Sequence, residues 1–309
     1  MSGDLLQDRV AIITGAGRGV GRAIAGRFAA QGAKLVLVDN GASIDGRETE
    51  SGLIARVAAE IGDDVVALDR DVADPATAQD AVAAARESFG GVDIVVNNAA
   101  ILRDAMVFKG DPADFDAVLR TNLSAAYYLI NAASPVMRAQ AKEGRTGGRI
   151  LSLVSSAGVY GNFGVAPYAS AKAGLLGLTR VAALELQRAG VTANALMPFA
   201  ATRVTESIPP ANEMLEQYRN RALTIPAEPV AVAAAWLASE LGQPVTGQLV
   251  GVRGREVFLM SQPRPVATVT AESGGWTEES LAEAAEASFA DSYVELKTDL
   301  ESFNTDPLI

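Results

Sequence analysis

Seven short apolar runs punctuate the first 255 residues. They are "VAIIT" (10–14), "KLVLVD" (34–39), "VVALD" (65–69), "DIVVNN" (93–98), "RILSLVS" (149–155), "VTANAL" (191–196) and "GQLVGV" (247–252). Each run is continuous rather than alternating, as a strand buried on both faces requires. Helical patterns separate them at 19–31, 47–61, 75–89, 112–140, 166–188 and 228–241. The alternation predicts an α/β fold: a doubly wound, seven-stranded parallel sheet with right-handed crossovers and helices on both faces. One domain is expected over 1–255, and a helical C-terminal extension over 256–309. In the extension "SQPRPVATVT" reads as an irregular connection. "TEESLAEAAEASFADSYVELKTDLESF" reads as one or two amphipathic helices with Thr277 as N-cap. Whether this tail covers a neighbouring subunit or a pocket mouth is left open.

Composition narrows the chemistry. The 309 residues include no His and no Cys. That excludes disulfides, thiolate nucleophiles and any metal site built on imidazole or thiolate, and no metal is expected. The formal net charge of −11 repels phosphate backbones and anionic lipid, so neither nucleic acid nor membrane is an expected partner. The opening "MSGDLLQDRVAII" lacks the pattern of a secretion signal. A cysteine-free chain suits a reducing compartment, and a cytoplasmic location is expected. The formally uncharged stretch 150–171 contains Asn162, Pro167 and several Ser and Gly, which argues against a membrane span.

"IITGAGRGVGRAIAGRFAAQG" (12–32) reads as strand, glycine-rich turn and helix. Val20 breaks a strict GxGxxG, but TGxxxGxG is met by Thr14, Gly15, Gly19 and Gly21. Such a turn lets backbone approach a pyrophosphate, and the helix start offers free N–H groups and a positive dipole end. Gly15, Arg18, Gly19, Val20 and Gly21 are therefore candidates for binding a dinucleotide. Asp39 ends the second run, where a carboxylate takes both ribose hydroxyls and repels a 2′-phosphate; NAD is expected over NADP. Asp71 and Val72 are placed near the adenine. Asn98 and Ala99, within "NNAA" (97–100), are placed beside the cofactor.

Tyr168 and Lys172 are one helical turn apart and share a face. An ammonium beside a phenol is expected to lower the phenol pKa and make Tyr168 an acid/base without imidazole. Ser155, at the end of the fifth run, is placed to hold a substrate carbonyl oxygen. The chemistry left to this chain is proton transfer coupled to hydride transfer, with hydride carried by a cofactor. Ser280, Tyr293 and Lys297 repeat the same spacing in the tail, but Ser280 lies in an acidic helical segment and no glycines follow it, so that set is read as chance. Tyr160 is read as a packing residue.

Taken together, Gly15-x-x-x-Gly19-x-Gly21, Asn97-Asn98-Ala99, Asn122, Ser155 and Tyr168-x-x-x-Lys172 resemble the short-chain dehydrogenase/reductase family over about residues 8–255. The resemblance implies a Rossmann-type fold and a catalytic tetrad of Asn122, Ser155, Tyr168 and Lys172. It implies that Asn122 holds a water in a proton relay to Lys172, and that Lys172 also binds the nicotinamide ribose. Ala100 departs from the family's usual Gly and adds a methyl near the cofactor. "NNAAILRD", "SSAGVYGNFGVAPYASAKAGLLGL" and "GQLVGVRGREV" resemble more narrowly the (3R)-hydroxyacyl-CoA dehydrogenase part of type 2 peroxisomal multifunctional enzymes. With "PLI" at the end in place of a peroxisomal tripeptide, a free-standing bacterial relative is the expectation.

The expected reaction is NAD-dependent interconversion of a secondary alcohol and a ketone, on a (3R)-hydroxyacyl-CoA or a similar β-hydroxy compound. A 17β-hydroxysteroid or other bulky alcohol is the alternative, and a catalytically silent nucleotide-binding scaffold is an alternative of another class. Arg103, Arg203, Arg219 and Arg221 are candidates for a CoA patch. Substrate choice is expected in 197–226, read as a lid hinged at Pro209 and Pro210, with Met197, Phe199, Ile208, Met214 and Leu215 offering apolar surface. The helices at 112–140 and 166–188 are apolar on more than one face, and the resemblance implies that they pair across a two-fold in a homodimer or homotetramer.

Overall fold

The computed structural model describes residues 4–145, 147–208 and 212–309. Among these, eight strands form one sheet: β1 (Val10–Thr14), β2 (Lys34–Val38), β3 (Val65–Leu68), β4 (Ile94–Asn97), β5 (Arg149–Leu153), β6 (Thr192–Phe199), β7 (Leu249–Arg253) and β8 (Glu256–Met260). The α-helices are α1 (Gly19–Ala29), α2 (Leu53–Ile61), α3 (Pro75–Phe89), α4 (Pro112–Leu119), α5 (Ala125–Lys142), α6 (Ala157–Tyr160), α7 (Ala166–Leu186), α8 (Arg203–Glu206), α9 (Glu213–Ala222), α10 (Glu228–Ala238), α11 (Glu278–Phe289) and α12 (Asp299–Ser302).

The strand order is β3-β2-β1-β4-β5-β6-β7-β8. The first seven strands pair in parallel. The order reverses between β1 and β4, which opens a crevice at their carboxyl ends. Each apolar run serves both faces by simple alternation. Ile13, Leu35, Leu37 and Val96 pack with α1, α2 and α10. Ile12, Val36, Val38 and Val95 pack with α3, α5 and α7. Fully burying each such side chain is worth about 1.5–3 kcal/mol, so both helical layers are fastened along the whole sheet.

Three expectations are corrected. The sheet has eight strands rather than seven, and it runs past residue 255. Gly254, at φ +57°, and Arg255 form a tight turn, and β8 returns antiparallel on β7 with Arg253 opposite Glu256. A glycine with positive φ is what a two-residue hairpin loop needs, and "RGRE" was that signal. The expected helix 47–61 begins only at Leu53. Before it, the Ser43 hydroxyl accepts from the backbone N–H of Arg47 and Glu48, capturing amides that a helix would use. The expected helix 112–140 is interrupted by a π-helical turn, Arg120–Ser124.

One compact unit of the chain runs to Met260 and resumes at Thr298–Ile309. Ser261–Lys297 forms a second. Within the second, Thr277 and Ser280 make a reciprocal capping box at the start of α11, with Thr277 as N-cap as expected. Ser280 is thus a helix-capping residue. No helix among the described residues is long and apolar enough to cross a membrane.

At the edge of the sheet opposite the crevice, Asp93 is buried. Its Oδ2 accepts from Val10 N–H at 2.8 Å and its Oδ1 from Arg145 Nε at 2.8 Å. Replacing it leaves a buried backbone donor without a partner. Asp93→Ala is expected to lower stability by about 2–4 kcal/mol, read as a reduced urea midpoint at unchanged m-value.

Candidate active site

The crevice is built first from glycine. Gly15, which follows β1, has φ +64°, and an added Cβ would stand 2.7 Å from the Ala99 Cα. At Gly21, in the first turn of α1, a Cβ would stand 2.2 Å from the Gly15 carbonyl oxygen. Turn and helix are therefore packed backbone to backbone, a closeness only glycine permits. Asn98 locks the turn to the end of β4. Its Nδ2 donates to the carbonyls of Thr14 and Gly15 at 3.0 and 2.9 Å, and the Thr14 hydroxyl accepts from Asn98 N–H at 3.0 Å. No side chain caps the start of α1 and no acid lies in its first turn, so its free N–H groups face the crevice uncompensated.

Asp39 follows β2 directly. Its two oxygens accept from Gly17 N–H at 2.8 Å and Gly41 N–H at 2.7 Å, and each keeps lone pairs for ribose hydroxyls. Arg18 would be the natural partner of a 2′-phosphate, but its guanidinium is spent elsewhere. It pairs with Glu50 and donates to the carbonyls of Gly41 and Ala42. Glu50 is in turn held below the usual carboxylate range, first by its hydrogen bond from Arg18.

A cavity of about 470 Å³ opens here. Gly15, Arg18, Gly19 and Val20 line it from one side, and Asp39, Asp71 and Val72 from another. Asn98, Ala99 and Ala100 form its floor at the end of β4, and Ser155, Tyr168 and Lys172 face it from β5 and α7. Gly21 and Asn122 stand behind its wall. Asn122 sits in the π-helical turn, donates from Nδ2 to the Ile101 carbonyl at 2.9 Å and accepts at Oδ1 from Ile101 N–H at 2.8 Å. Its side chain thereby fixes the chain leaving β4.

Ser155, Tyr168 and Lys172 form a compact group. Tyr168 is 9% and Lys172 3% exposed. Lys172 Nζ donates to the Leu153 carbonyl at 2.6 Å and lies 5.6 Å from the Tyr168 ring centre. The Ser155 hydroxyl accepts from Ala157 N–H at 3.2 Å and hydrogen-bonds the Tyr168 phenol. Contrary to the expectation from spacing, the phenol is not lowered. Burial pushes it up to about 12, opposed by the Ser155 hydrogen bond and reinforced by the charges of Asp299 and Asp104. Burial likewise brings Lys172 down to about 8. With both groups desolvated, each resists its charged form.

Covering of a pocket mouth was one of two readings left open for the tail, but no residue of 298–309 was singled out in the sequence. Asp299, Leu300, Phe303 and Thr305 line the same cavity. The signal was "TDLE", a Thr-x-x-Glu start followed by apolar Leu300 and Phe303, and α12 indeed opens on a capping box at Thr298 and Glu301. Phe303 packs at a tilt against Phe199 with ring centres 4.6 Å apart, and the Arg253 guanidinium holds the carbonyls of Phe303 and Thr305. Tyr160 packs edge-on to Phe303 at 5.7 Å, a packing role as expected. From the expected substrate segment, Phe199, Ile208, Tyr218 and Ile225 reach the cavity. Met197 is instead core, and Met214 and Leu215 lie off the cavity wall. The hinge expected at Pro209 and Pro210 lies outside the described residues. Of the four candidate arginines, Arg103, Arg203 and Arg221 line the cavity and Arg219 does not. Arg103 is paired with Asp114.

Comparison with known proteins identifies the family. A family model described as Enoyl-(Acyl carrier protein) reductase matches residues 15–254. The hydroxyacyl-CoA dehydrogenase ChsB1 of Mycobacterium tuberculosis is 36% identical, over 88% of this chain and 85% of that one. The peroxisomal multifunctional enzyme A of Dictyostelium discoideum is 42% identical over 69% of this chain, which spans 47% of that enzyme's length. The 3-ketoacyl-(acyl-carrier-protein) reductase of Brucella melitensis, solved with NADH, superposes with a TM-score of 0.72 at 30% identity, over 81% of this chain and 98% of that one. The chain belongs to the short-chain dehydrogenase/reductase family.

The depressed Lys172 has a measurable consequence. Its amine titrates near 8 in the fold against 10.5 when solvated. Between those values the unfolded chain binds more protons, so this group's contribution to stability rises with pH. Going from pH 7.5 to 9.5 is expected to stabilise the wild type by roughly 2 kcal/mol relative to Lys172→Met in urea unfolding. An identical response in the two proteins contradicts the buried, depressed amine.

Proposed function

We propose that the protein is an NAD(H)-dependent dehydrogenase of secondary alcohols whose substrates are (3R)-hydroxyacyl thioesters. The observation that carries this reading is the convergence of Ser155, Tyr168 and Lys172 on the cavity that also holds Asp39 and the glycine turn. The fit to a dinucleotide rests on the uncapped start of α1, the glycine cradle and the Asp39 carboxylate. In that site Asp39 takes the adenosine ribose, α1 and the glycine turn the pyrophosphate, and Lys172 the second ribose. Bound there, an oxidised nicotinamide supplies hydride acceptance and a positive charge that favours the phenolate. Ser155 holds the substrate oxygen, and Tyr168 receives the carbinol proton in oxidation and returns it in reduction. The protein excludes water by burying the trio.

The acyl assignment is supported by relatives with hydroxyacyl-CoA and ketoacyl names. It is also supported by the apolar wall of Phe199, Ile225, Leu300 and Phe303. Arg203 supplies a cation at the same cavity for the CoA phosphates; Arg221, which also lines it, is paired with Asp306. A flat steroid is the second reading, favoured by the aromatic surface of Phe199 and Phe303 on the cavity wall. Reduced-nicotinamide absorbance with NAD and, separately, a (3R)-hydroxyacyl-CoA and a 17β-hydroxysteroid decides between them. Turnover of the thioester is expected; turnover of the steroid alone would transfer the assignment to bulky alcohols. Silence with every secondary alcohol tried would leave a nucleotide-binding scaffold.

Because Asp39 repels a 2′-phosphate and Arg18 is neutralised by Glu50, NADPH is expected to bind at least tenfold more weakly than NADH in a fluorescence titration. The reading includes a cytoplasmic location, which the cysteine-free sequence suits. It also includes self-association through α5 and α7. These helices expose Tyr127 (52%), Val181 (48%) and Leu184 (75%), apolar surface that a second copy would cover. Light scattering at micromolar concentration is expected to give at least a dimer, and a monomer would refute that pairing.

A further inference from the structure

Asp299 lies outside the residues matched by the family model, yet it is 5% exposed and lines the catalytic cavity. One of its oxygens accepts from the Ser156 hydroxyl at 2.7 Å. The other is buried with no hydrogen-bond partner. Its backbone N–H donates to the Gly161 carbonyl at 3.0 Å, so α12 is stitched to both ends of α6. Ser156 directly follows Ser155 in the turn between β5 and α6. A carboxyl group left half-satisfied in a buried site costs stability and has no packing purpose. We propose that residues 298–309 are a working part of the active site, with Asp299 as a positioning residue that fixes the turn carrying Ser155 and sets a carboxylate in the cavity that Tyr168 also lines.

The inference rests on the role given to Tyr168 above. The surroundings decide its sign. Lys172 lies near Tyr168 on its own helix and Ser155 at the end of β5, and the charges of Asp104, in the loop after β4, and Asp299, in α12, act on the phenol through space. The Asp299 charge also acts on Tyr218 of α9, whose phenol burial pushes up to about 12, and Arg221 and Arg253 act on Tyr218 in the opposite sense. Asp299 itself is raised by burial and lowered by the Ser156 hydrogen bond. Once ionised, Asp299 raises the Tyr168 pKa, so removing its charge lowers it. Two effects are separable. Asparagine keeps an acceptor for the Ser156 hydroxyl and loses the charge; alanine loses both.

The test uses the full chain as wild type, Asp299→Asn and Asp299→Ala. NADH affinity within about threefold of wild type and a cooperative melt establish the folded site in each. The pH dependence of kcat/KM for alcohol oxidation is then measured. The expected result is that the limb reporting Tyr168 ionisation moves to lower pH by half a unit or more in both variants. Asp299→Ala is expected to lose a further tenfold or more in kcat/KM, which Asp299→Asn largely restores. A limb that stays in place, with activity unchanged or uniformly reduced, overturns the proposal and leaves Asp299 a structural residue. Loss of NADH binding by Asp299→Asn also overturns it, because the residue then serves the fold or the cofactor. A wild-type profile with no such limb refutes the role of Tyr168 itself, and the proposal falls with it.

Discussion

The site depends on one join. Where the strand order reverses, Asn98 at the end of β4 clasps the carbonyls of Thr14 and Gly15 at the end of β1. Parallel strands on opposite sides of a switch point diverge toward helices on opposite faces, and the gap between them is where a ligand enters. The clasp sets the floor of that gap and fixes the glycine turn that α1 packs against at Gly21. Asp39, Ser155 and the chain toward Asn122 all leave from strand ends registered to this pair. Their mutual positions are a property of the sheet rather than of the loops that bear them.

Burial does the electrostatic tuning. A phenol and an amine one turn apart on an exposed helix would each keep nearly ordinary titration. Here α6, α7 and the end of β5 enclose them, and desolvation drives both toward neutrality. At neutral pH the phenol is un-ionised, while the Lys172 amine, brought down only to about 8, keeps most of its proton. Ser155 is the one neighbour that lowers the phenol, and Asp104 and Asp299 raise it. The surroundings thus hold the Tyr168 phenol high.

Much of this was legible in the residues. Continuous apolar runs gave every parallel strand because a doubly buried strand has no polar face to interrupt the pattern. The glycine turn, Asp39 and the Ser155, Tyr168 and Lys172 set were legible because each needs a residue type that little else supplies in that context. β8 was not, since its alternation is short and half-buried and follows directly on β7 across a two-residue turn. Nor was the direction of the Tyr168 shift, because spacing shows who neighbours whom and not how much water is removed. Asp299 stayed hidden for a different reason: it meets Ser156 across 143 positions of sequence, and only the fold brings them together.

In the proposed reaction binding and chemistry are carried by separate groups, with Tyr168 alone moving the substrate proton. The most direct measurement is paired: NADH affinity and steady-state alcohol oxidation in Tyr168→Phe against wild type. The ring fills the same space without the hydroxyl. The account predicts NADH affinity within about threefold and a loss of about a thousandfold in turnover, within the range that positioned acid/base groups supply. Turnover equal to wild type, with NADH bound normally, would contradict it.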